Sequence, residues 1–275
     1  MDELARDGVR LCFVDAGKGA PPVVLVHDLA RDHTCLEAEL EHFRQRHRTV
    51  AVDLRGHGES GKPEQAYTMA GFADDLAWLA YELGLYRPVV VGYGLGGAVA
   101  LELAARVRDL PGAVVAVDTP IRWLTPSHAP SERAQGLPAE EGVSSVDSVG
   151  GGLAPPLDGS SEQAVCGALL PPLGCPPAAP RHVLVSALGQ LTTWDGAAAL
   201  AACEVPVLYV ETGASGGGTT DELSRLRDLC PRLAIARAAH GEDPQAPPSA
   251  SVPLARAERV IAAVDRFVAV LPHSS

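Results

Sequence analysis

Short apolar segments alternate with longer amphipathic segments along most of the chain. Apolar runs rich in β-branched residues predict strands over residues 9–14, 23–27, 49–53, 88–92, 113–118, 206–211 and 233–237. Apolar positions three and four residues apart predict helices over residues 36–46, 70–85, 95–108, 220–229 and 254–271. This alternation is typical of an α/β protein built on a mostly parallel sheet. We expect the first two of these strands to form a hairpin-like edge.

The alternation stops after Asp118 and resumes near residue 203. The stretch between them is rich in proline, glycine and serine, as in VGGGLAPPLDGSS and LLPPLGCPPAAP. Because a structureless loop of this length is improbable inside a compact domain, we interpret residues 119–202 as an inserted cap. The alternative is a partly disordered linker. The core then has two parts, residues 1–118 and 203–275.

The composition narrows the class of ligand. The formal net charge of -12 disfavours binding to nucleic acid or to an anionic membrane surface. The beginning of the sequence, MDELARDGVR, lacks the pattern of a signal peptide, and no apolar run approaches the ~18 residues of a membrane span. The six cysteines show no zinc-ligand spacing. We therefore expect a cytoplasmic protein that binds a small molecule and uses neither a metal nor another cofactor. The pattern does not specify an oligomeric state.

The stretch VVVGYGLGGAVA, residues 89–100, allows two interpretations. Gly92, Gly94 and Gly97 satisfy the dinucleotide-binding pattern GxGxxG, and Asp118 follows Gly94 by 24 residues at the end of a predicted strand. The same letters also match GxSxG, the strand-to-helix turn that carries a nucleophilic serine, with glycine in place of the serine.

The order of the motifs favours the second interpretation. VVLVHDLARDH, VAVDLRGHGES, the glycine-rich turn, VVAVDTP, VPVLYVETG and AAHGEDP follow one another in an order that resembles the α/β-hydrolase superfamily. DLRGHGES, residues 53–60, is the most specific of these segments. The resemblance covers most of the chain outside the insertion. It implies an eight-stranded, mostly parallel sheet flanked by helices, with an inserted cap.

Gly94 stands where such enzymes carry their nucleophile. Glycine has no side chain, so no acyl-enzyme forms at this position and ordinary serine-hydrolase chemistry is excluded there. An engineered replacement of serine by glycine would give the same letters. Tyr93 precedes this position. The resemblance implies that its ring points away from the pocket, and we keep it as a pocket candidate because of its proximity.

The resemblance also implies a catalytic histidine and its acidic partner. His240, in AAHGEDP after the last strand, matches the histidine. The usual acid position after VPVLYV falls on Gly216, whereas some members place the acid after the preceding strand, which here ends in Asp118. In that role Asp118 would orient His240 as a general base. The alternative is a structural role for Asp118 in the turn VDTP.

The matching oxyanion-hole donors are the backbone N–H groups of Leu29 and Leu95. The family's His-Gly pair is altered because Asp28 replaces its glycine. Since an ionised carboxylate would repel an oxyanion, we expect Asp28 to point away. Its alternative is to act as an acid or base, with a pKa raised by desolvation.

A His/Asp dyad that acts as a base resembles the cofactor-independent quinolone dioxygenases of this fold, although those enzymes retain the serine at the turn and this chain does not. The segment ARDH is similar to their histidine-containing loop, so His33 becomes a pocket candidate, the alternative being a surface residue at a helix start. Trp123, at the start of the insertion, is a further pocket candidate.

These features predict an enzyme that uses His240 and Asp118 as a general base for non-hydrolytic chemistry on a small apolar substrate. Elimination, cyclisation or rearrangement, and cofactor-free oxygenation all begin with proton removal, and the composition suits specialised-metabolite biosynthesis. The competing hypotheses are a catalytically inactive binding protein on a hydrolase scaffold and an engineered serine hydrolase.

Overall fold

The computed structural model describes residues 1–121, 178–212, 220–237 and 252–271. These residues belong to one compact unit built around a single sheet. The strands, numbered in chain order, are β1 Asp2–Arg6, β2 Val9–Ala16, β3 Val23–Val26, β4 Thr49–Val52, β5 Val89–Tyr93, β6 Ala113–Val117, β7 Val207–Glu211 and β8 Leu233–Arg237.

The sheet has the order β1-β2-β4-β3-β5-β6-β7-β8. The six strands from β4 to β8 in this order are parallel, whereas β1 pairs with β2, and β2 with β4, in antiparallel fashion. The eight-stranded, mostly parallel α/β sheet is therefore confirmed. The predicted hairpin between the first two apolar strands is wrong, because β2 pairs with β1 on one side and with β4 on the other.

Helices cover both faces of the sheet. They are α1 Glu37–Phe43, α2 Met69–Glu82, α3 Leu95–Arg106, α4 Arg181–Thr193, α5 Gly196–Ala202, α6 Thr220–Leu229 and α7 Val252–Val268, with a 3-10 helix at His33–Leu36. Within the described ranges, no helix is long and apolar enough to cross a membrane.

The central strands supply the core. Every residue of β3, β4, β5 and β6 is buried, and α1 and α7 cover one face of them through Leu40, Phe43, Val260 and Val264. Burial on both faces explains the continuous apolar runs that made these strands recognisable in the sequence.

Part of the predicted insertion lies against this core. α4 and α5 fall within residues 119–202, α5 packs on α3, and Tyr67 donates its backbone N–H to the hydroxyl of Ser186 in α4 at 2.9 Å. The boundaries of the cap stay a prediction.

The register of three neighbouring strands brings three of the candidate residues together. Val26 of β3 pairs with Gly92 of β5, and Tyr93 of β5 pairs with Val117 of β6. Asp28, Gly94 and Asp118 follow these pairs by one or two residues, so they meet at the carboxyl edge of the sheet. That edge is where open parallel sheets bind their ligands.

Candidate active site

A sharp turn at Gly94 joins β5 to α3. Gly94 has φ 48° and ψ -108°, a backbone conformation that strains any residue with a side chain. Its N–H donates to the carbonyl of Val117 at 2.9 Å, which ties the turn to β6. The turn places the N-terminus of α3, whose first residues are buried, at the carboxyl edge of the sheet.

Close backbone contacts require glycine on either side of this turn. A Cβ added to Gly92 would overlap the backbone of Gly96, and one added to Gly96 would lie within 2.6 Å of the carbonyl oxygens of Val26 and His27. α3 can therefore approach β3 and β5 only because these positions lack side chains.

The carboxylate of Asp28 fills the space that a side chain at position 94 would need. All three heavy atoms of this carboxylate lie within 2.6 Å of a Cβ built on Gly94. Its Oδ1 accepts the backbone N–H of Leu29 at 2.7 Å and that of Leu95 at 2.8 Å. The two amides proposed for an oxyanion hole are thus brought together, with the protein's own carboxylate between them.

The expectation that Asp28 points away is therefore wrong. It assumed that the two amides face a substrate oxyanion, which a carboxylate would repel. Here the amides bind the carboxylate itself, and the positive end of the α3 dipole adds to their stabilisation of its charge. Gly94 leaves the necessary room.

Burial dominates the titration of Asp28. Desolvation raises the pKa of its carboxyl group, whereas the hydrogen bonds from Leu95 and Leu29 and the charges of Arg256 and Arg31 lower it to a smaller extent. The side chain remains partly exposed. A group of this kind takes up a proton more readily than an ordinary aspartate does.

His27 holds the backbone of Asp28 in place. Its Nδ1 donates to the carbonyl of Asp28 at 2.8 Å, and its Nε2 accepts the N–H of Leu54 at 3.0 Å. Complete burial lowers the pKa of His27 to about 4, so the ring is neutral, as these two bonds require. Sequence reasoning missed this positioning role, although the His-Asp pair in VVLVHD was its signal.

Asp118 lies at the end of β6 with φ 45° and is buried. Its Oδ1 accepts the N–H of Thr212 at 2.8 Å, and its Oδ2 accepts the hydroxyl of the same residue and Nη2 of Arg256 at 2.8 Å. Asp118 thus joins the end of β7 and helix α7 to the site. Since Oδ1 has only this one partner among the described residues, the proposed contact with His240 remains compatible with these bonds.

Tyr93 points away from the turn. Its hydroxyl donates to Oε1 of Glu39 in α1, where both side chains are buried, and the guanidinium of Arg256 lies 5.3 Å from the centre of its ring. Burial and the neighbouring carboxylate raise the pKa of Tyr93 well above its ordinary value. The phenol is therefore a neutral donor to Glu39, and not a nucleophile.

His33 begins the 3-10 helix and binds Asp53. Its backbone N–H and its Nδ1 contact Oδ1 of Asp53 at 2.7 and 2.8 Å, and its side chain is 15% exposed. Asp53, which is fully buried, also accepts the N–H of Glu59 at 2.8 Å. His33 is thus anchored to the DLRGHGES loop through its backbone N–H and one ring nitrogen.

Two predicted site residues, His240 and Trp123, lie outside the described residues, as does the substituted acid position Gly216. Their roles stay predictions. Across the part of the chain that the structure describes, no three His, Cys, Asp or Glu side chains come together as metal ligands.

The arrangement has a definite chemical consequence. A substrate carbonyl cannot enter the oxyanion hole while Oδ1 of Asp28 occupies it, and Gly94 offers no nucleophilic atom. In place of a nucleophile and a free oxyanion hole, the site has the carboxylate of Asp28, which two amides bind and whose pKa is raised. Such a group is suited to proton transfer.

Comparisons with known proteins agree with this architecture. Residues 21–142 match the family model described as alpha/beta hydrolase fold. The chain is 37% identical over 102 residues to a 2-(acetamidomethylene)succinate hydrolase of Mesorhizobium japonicum, an alignment that covers 37% of each protein. Alignments with the first curated relatives span only 32–37% of their length.

Two solved structures resemble the whole chain. An esterase from Thermogutta terrifontis has a TM-score of 0.70 at 24% identity, covering 98% of this chain and 99% of the esterase. The enol-lactonase from Burkholderia xenovorans LB400 has a TM-score of 0.69 at 18% identity, covering 98% of this chain and 100% of the lactonase. The chain therefore has the fold of the α/β-hydrolase superfamily, and its residues 21–142 match that family's model.

Proposed function

We propose that the protein is an α/β-hydrolase-fold enzyme that removes a proton from a small apolar substrate without forming an acyl-enzyme. The observation that carries this proposal is the carboxylate of Asp28, held by the N–H groups of Leu29 and Leu95 over Gly94. The base stands where relatives place their nucleophile. Elimination, cyclisation or rearrangement, and cofactor-free oxygenation are the reaction classes that begin in this way.

Asp28 is the proposed base of the first step. The two amides fix its Oδ1, and Oδ2 is left to accept the substrate proton, since no donor within the described ranges binds it. Burial raises the pKa of the Asp28 carboxyl group, so its carboxylate is a stronger base than that of an exposed aspartate. This develops the alternative in which Asp28 acts as an acid or base, beside the hypothesis that His240, oriented by Asp118, removes the proton.

His240 and Asp118 are proposed as a second acid–base pair. The bonds from Thr212 and Arg256 hold Asp118 rigidly at the carboxyl edge, two strands from Asp28. If His240 contacts Asp118, its ring would return a proton to the substrate or remove a second one.

One relative is named for hydrolysis, and the occupied oxyanion hole supports a different reaction for this protein. The printed name of one relative describes hydrolysis of 2-(acetamidomethylene)succinate. Attack on such a substrate develops a negative charge on oxygen, which the family stabilises in the oxyanion hole. Because Asp28 fills that hole, hydrolysis of an ester or amide would lack this stabilisation.

A binding protein without catalytic activity is the second candidate. The observation in its favour is the same occupied oxyanion hole, since a carboxylate bound by two amides is also a stable structural element. The two candidates differ in one property: only the enzyme requires Oδ2 of Asp28 to react.

The test uses 5-nitrobenzisoxazole, a small apolar compound from which a base removes one proton while the ring N–O bond breaks and a coloured phenolate forms. We expect the protein to accelerate this elimination, and Asp28→Asn to lose the acceleration with its folding intact. Asp32→Asn is the matched control, because Asp32 is a neighbouring carboxylate that caps the 3-10 helix. A rate equal in the wild type and Asp28→Asn would overturn the proposal and favour the binding protein.

A further inference from the structure

His33 and Asp53 form a carboxylate–imidazole pair at the carboxyl edge of the sheet. Asp53 is fully buried, and its Oδ1 accepts both Nδ1–H of His33 at 2.8 Å and the backbone N–H of the same residue at 2.7 Å. Its Oδ2 accepts the N–H of Glu59 at 2.8 Å. Because an ionised carboxylate only accepts hydrogen bonds, Nδ1 of His33 carries the hydrogen of the neutral ring, and Nε2 is left with its lone pair.

This pair lies beside Asp28. Val26 of β3 pairs with Val52 of β4, so Asp28 and Asp53 follow neighbouring parallel strands by two residues and one residue. His33 comes five residues after Asp28 in the same connection, and its bond to Asp53 draws that connection towards the end of β4. The imidazole therefore lies on the β4 side of the proposed base.

The second ring nitrogen of His33 is available for reaction. Its side chain is 15% exposed, and within the described ranges no group bonds Nε2. His27 differs in this respect, because its two ring nitrogens bond the carbonyl of Asp28 and the N–H of Leu54. An imidazole that is fixed through one nitrogen and free at the other is the arrangement that a general acid or base requires.

We propose that His33, positioned by Asp53, is a general acid that donates a proton from Nε2 to the atom that leaves the substrate. The inference rests on the proposed function, in which Asp28 removes a proton from carbon. The electrons of the broken C–H bond form a π bond, the bond to the leaving atom breaks, and that atom takes the proton of the imidazolium. Water then carries the proton from Asp28 back to His33, so both groups regain their first state.

The location of the acid agrees with this division of roles. Asp118 lies at the end of β6, which is separated from β3 by β5, whereas Asp53 lies at the end of β4, next to β3 on its other side. The proposed pair of His240 with Asp118 and the pair of His33 with Asp53 thus belong to opposite sides of Asp28. A proton removed at one atom and a proton supplied at another require such separate groups.

The experiment compares 5-nitrobenzisoxazole with unsubstituted benzisoxazole. Both compounds lose the equivalent C–H proton, but the unsubstituted compound releases the more basic phenolate, which needs an acid more. We expect His33→Gln to slow elimination of the unsubstituted compound about tenfold more than that of the nitro compound. His42→Gln is the matched control, because His42 also binds a carboxylate, that of Asp265, but is 40% exposed. It should leave the ratio of the two rates unchanged.

The ratio is measured on a single protein sample, so it does not depend on how much of a variant is folded. An equal loss on both compounds, or no loss on either, would show that His33 only supports the loop and would refute the inference. The proposed function would then still stand if Asp28→Asn abolishes the elimination. A wild-type protein that accelerates neither compound would refute the proposed function and this inference together.

Discussion

The carboxylate of Asp28 lies in the space above Gly94 that a nucleophilic side chain would occupy. Two positions that lie 66 residues apart in the sequence have both changed: a glycine stands at the turn, and a carboxylate stands where the resemblance places a glycine after His27, the residue that follows β3. The carboxylate of Asp28 has room only because residue 94 is glycine, so the two changes have to be considered together.

Gly94→Ser should not create a serine hydrolase. The new Cβ would overlap Asp28, and a backbone at φ 48° strains a non-glycine residue by about 1–3 kcal/mol. We expect lower stability in urea and no labelling by a fluorophosphonate probe.

The double variant Asp28→Gly with Gly94→Ser should behave differently, because it clears the oxyanion hole and removes the overlap. We expect the fluorophosphonate to label Ser at position 94 in this protein. Efficient labelling of the single variant Gly94→Ser would contradict the link between the two positions, and would favour an engineered loss of serine.

Stability should fall in mild acid. Burial lowers the pKa of His27 to about 4 and that of His57 to about 3, from an ordinary value of about 6.5. Between these values the unfolded chain binds protons that the folded chain does not, so the free energy of unfolding decreases as pH falls below about 6.5. The urea midpoint should therefore be lower at pH 5 than at pH 7.

His57→Phe should weaken this pH dependence. The ring of His57 packs near Phe72, and no donor or acceptor among the described residues binds its buried Nε2. An apolar ring therefore removes a titrating group at the cost of one hydrogen bond, from Nδ1 to the carbonyl of Arg55 at 3.1 Å. His42→Gln is the control, because His42 is 40% exposed. An equal pH dependence in the wild type and His57→Phe would show that another group is responsible.

Loss of Asp118 should destabilise the carboxyl edge. Asp118→Ala would leave the buried N–H and hydroxyl of Thr212 without their acceptor and Arg256 without its ion-pair partner. We expect the free energy of unfolding to fall by about 2–4 kcal/mol. Thr212→Val removes only the hydroxyl and should cost about 1 kcal/mol. Urea denaturation of both variants checks this order, and a neutral Asp118→Ala would contradict it.

Tyr93→Phe should lower the free energy of unfolding by more than the loss of one hydroxyl group suggests. The variant leaves Glu39, which is only 3% exposed, without its donor, and its other carboxyl oxygen is already unbonded among the described residues. We expect a loss of about 1–3 kcal/mol. Adding Glu39→Met should recover part of it, measured by a double-mutant cycle, and strict additivity of the two changes would refute the proposed coupling.

Buried strands could be predicted from the sequence because parallel strands covered on both faces consist of continuous apolar residues. β1 was missed because its segment, DELAR, is polar and lies at an exposed edge. The helices α4 and α5 were missed because they lie in a region whose composition gave no clear periodicity.

The position of Gly94 in the turn could also be predicted, since the spacing of its neighbouring glycines is specific. The orientation of Asp28 could not, because it depends on two amides from distant segments and on the space left by a missing side chain. Contacts of this kind are set by tertiary structure and leave no local pattern.

The most direct test of this account is a crystal structure at neutral pH without added ligand. We predict that Oδ1 of Asp28 lies within hydrogen-bonding distance, about 2.7–3.2 Å, of the backbone nitrogens of both Leu29 and Leu95. A structure in which Asp28 is turned towards solvent, and a water molecule or an anion binds the two amides, would contradict the central claim.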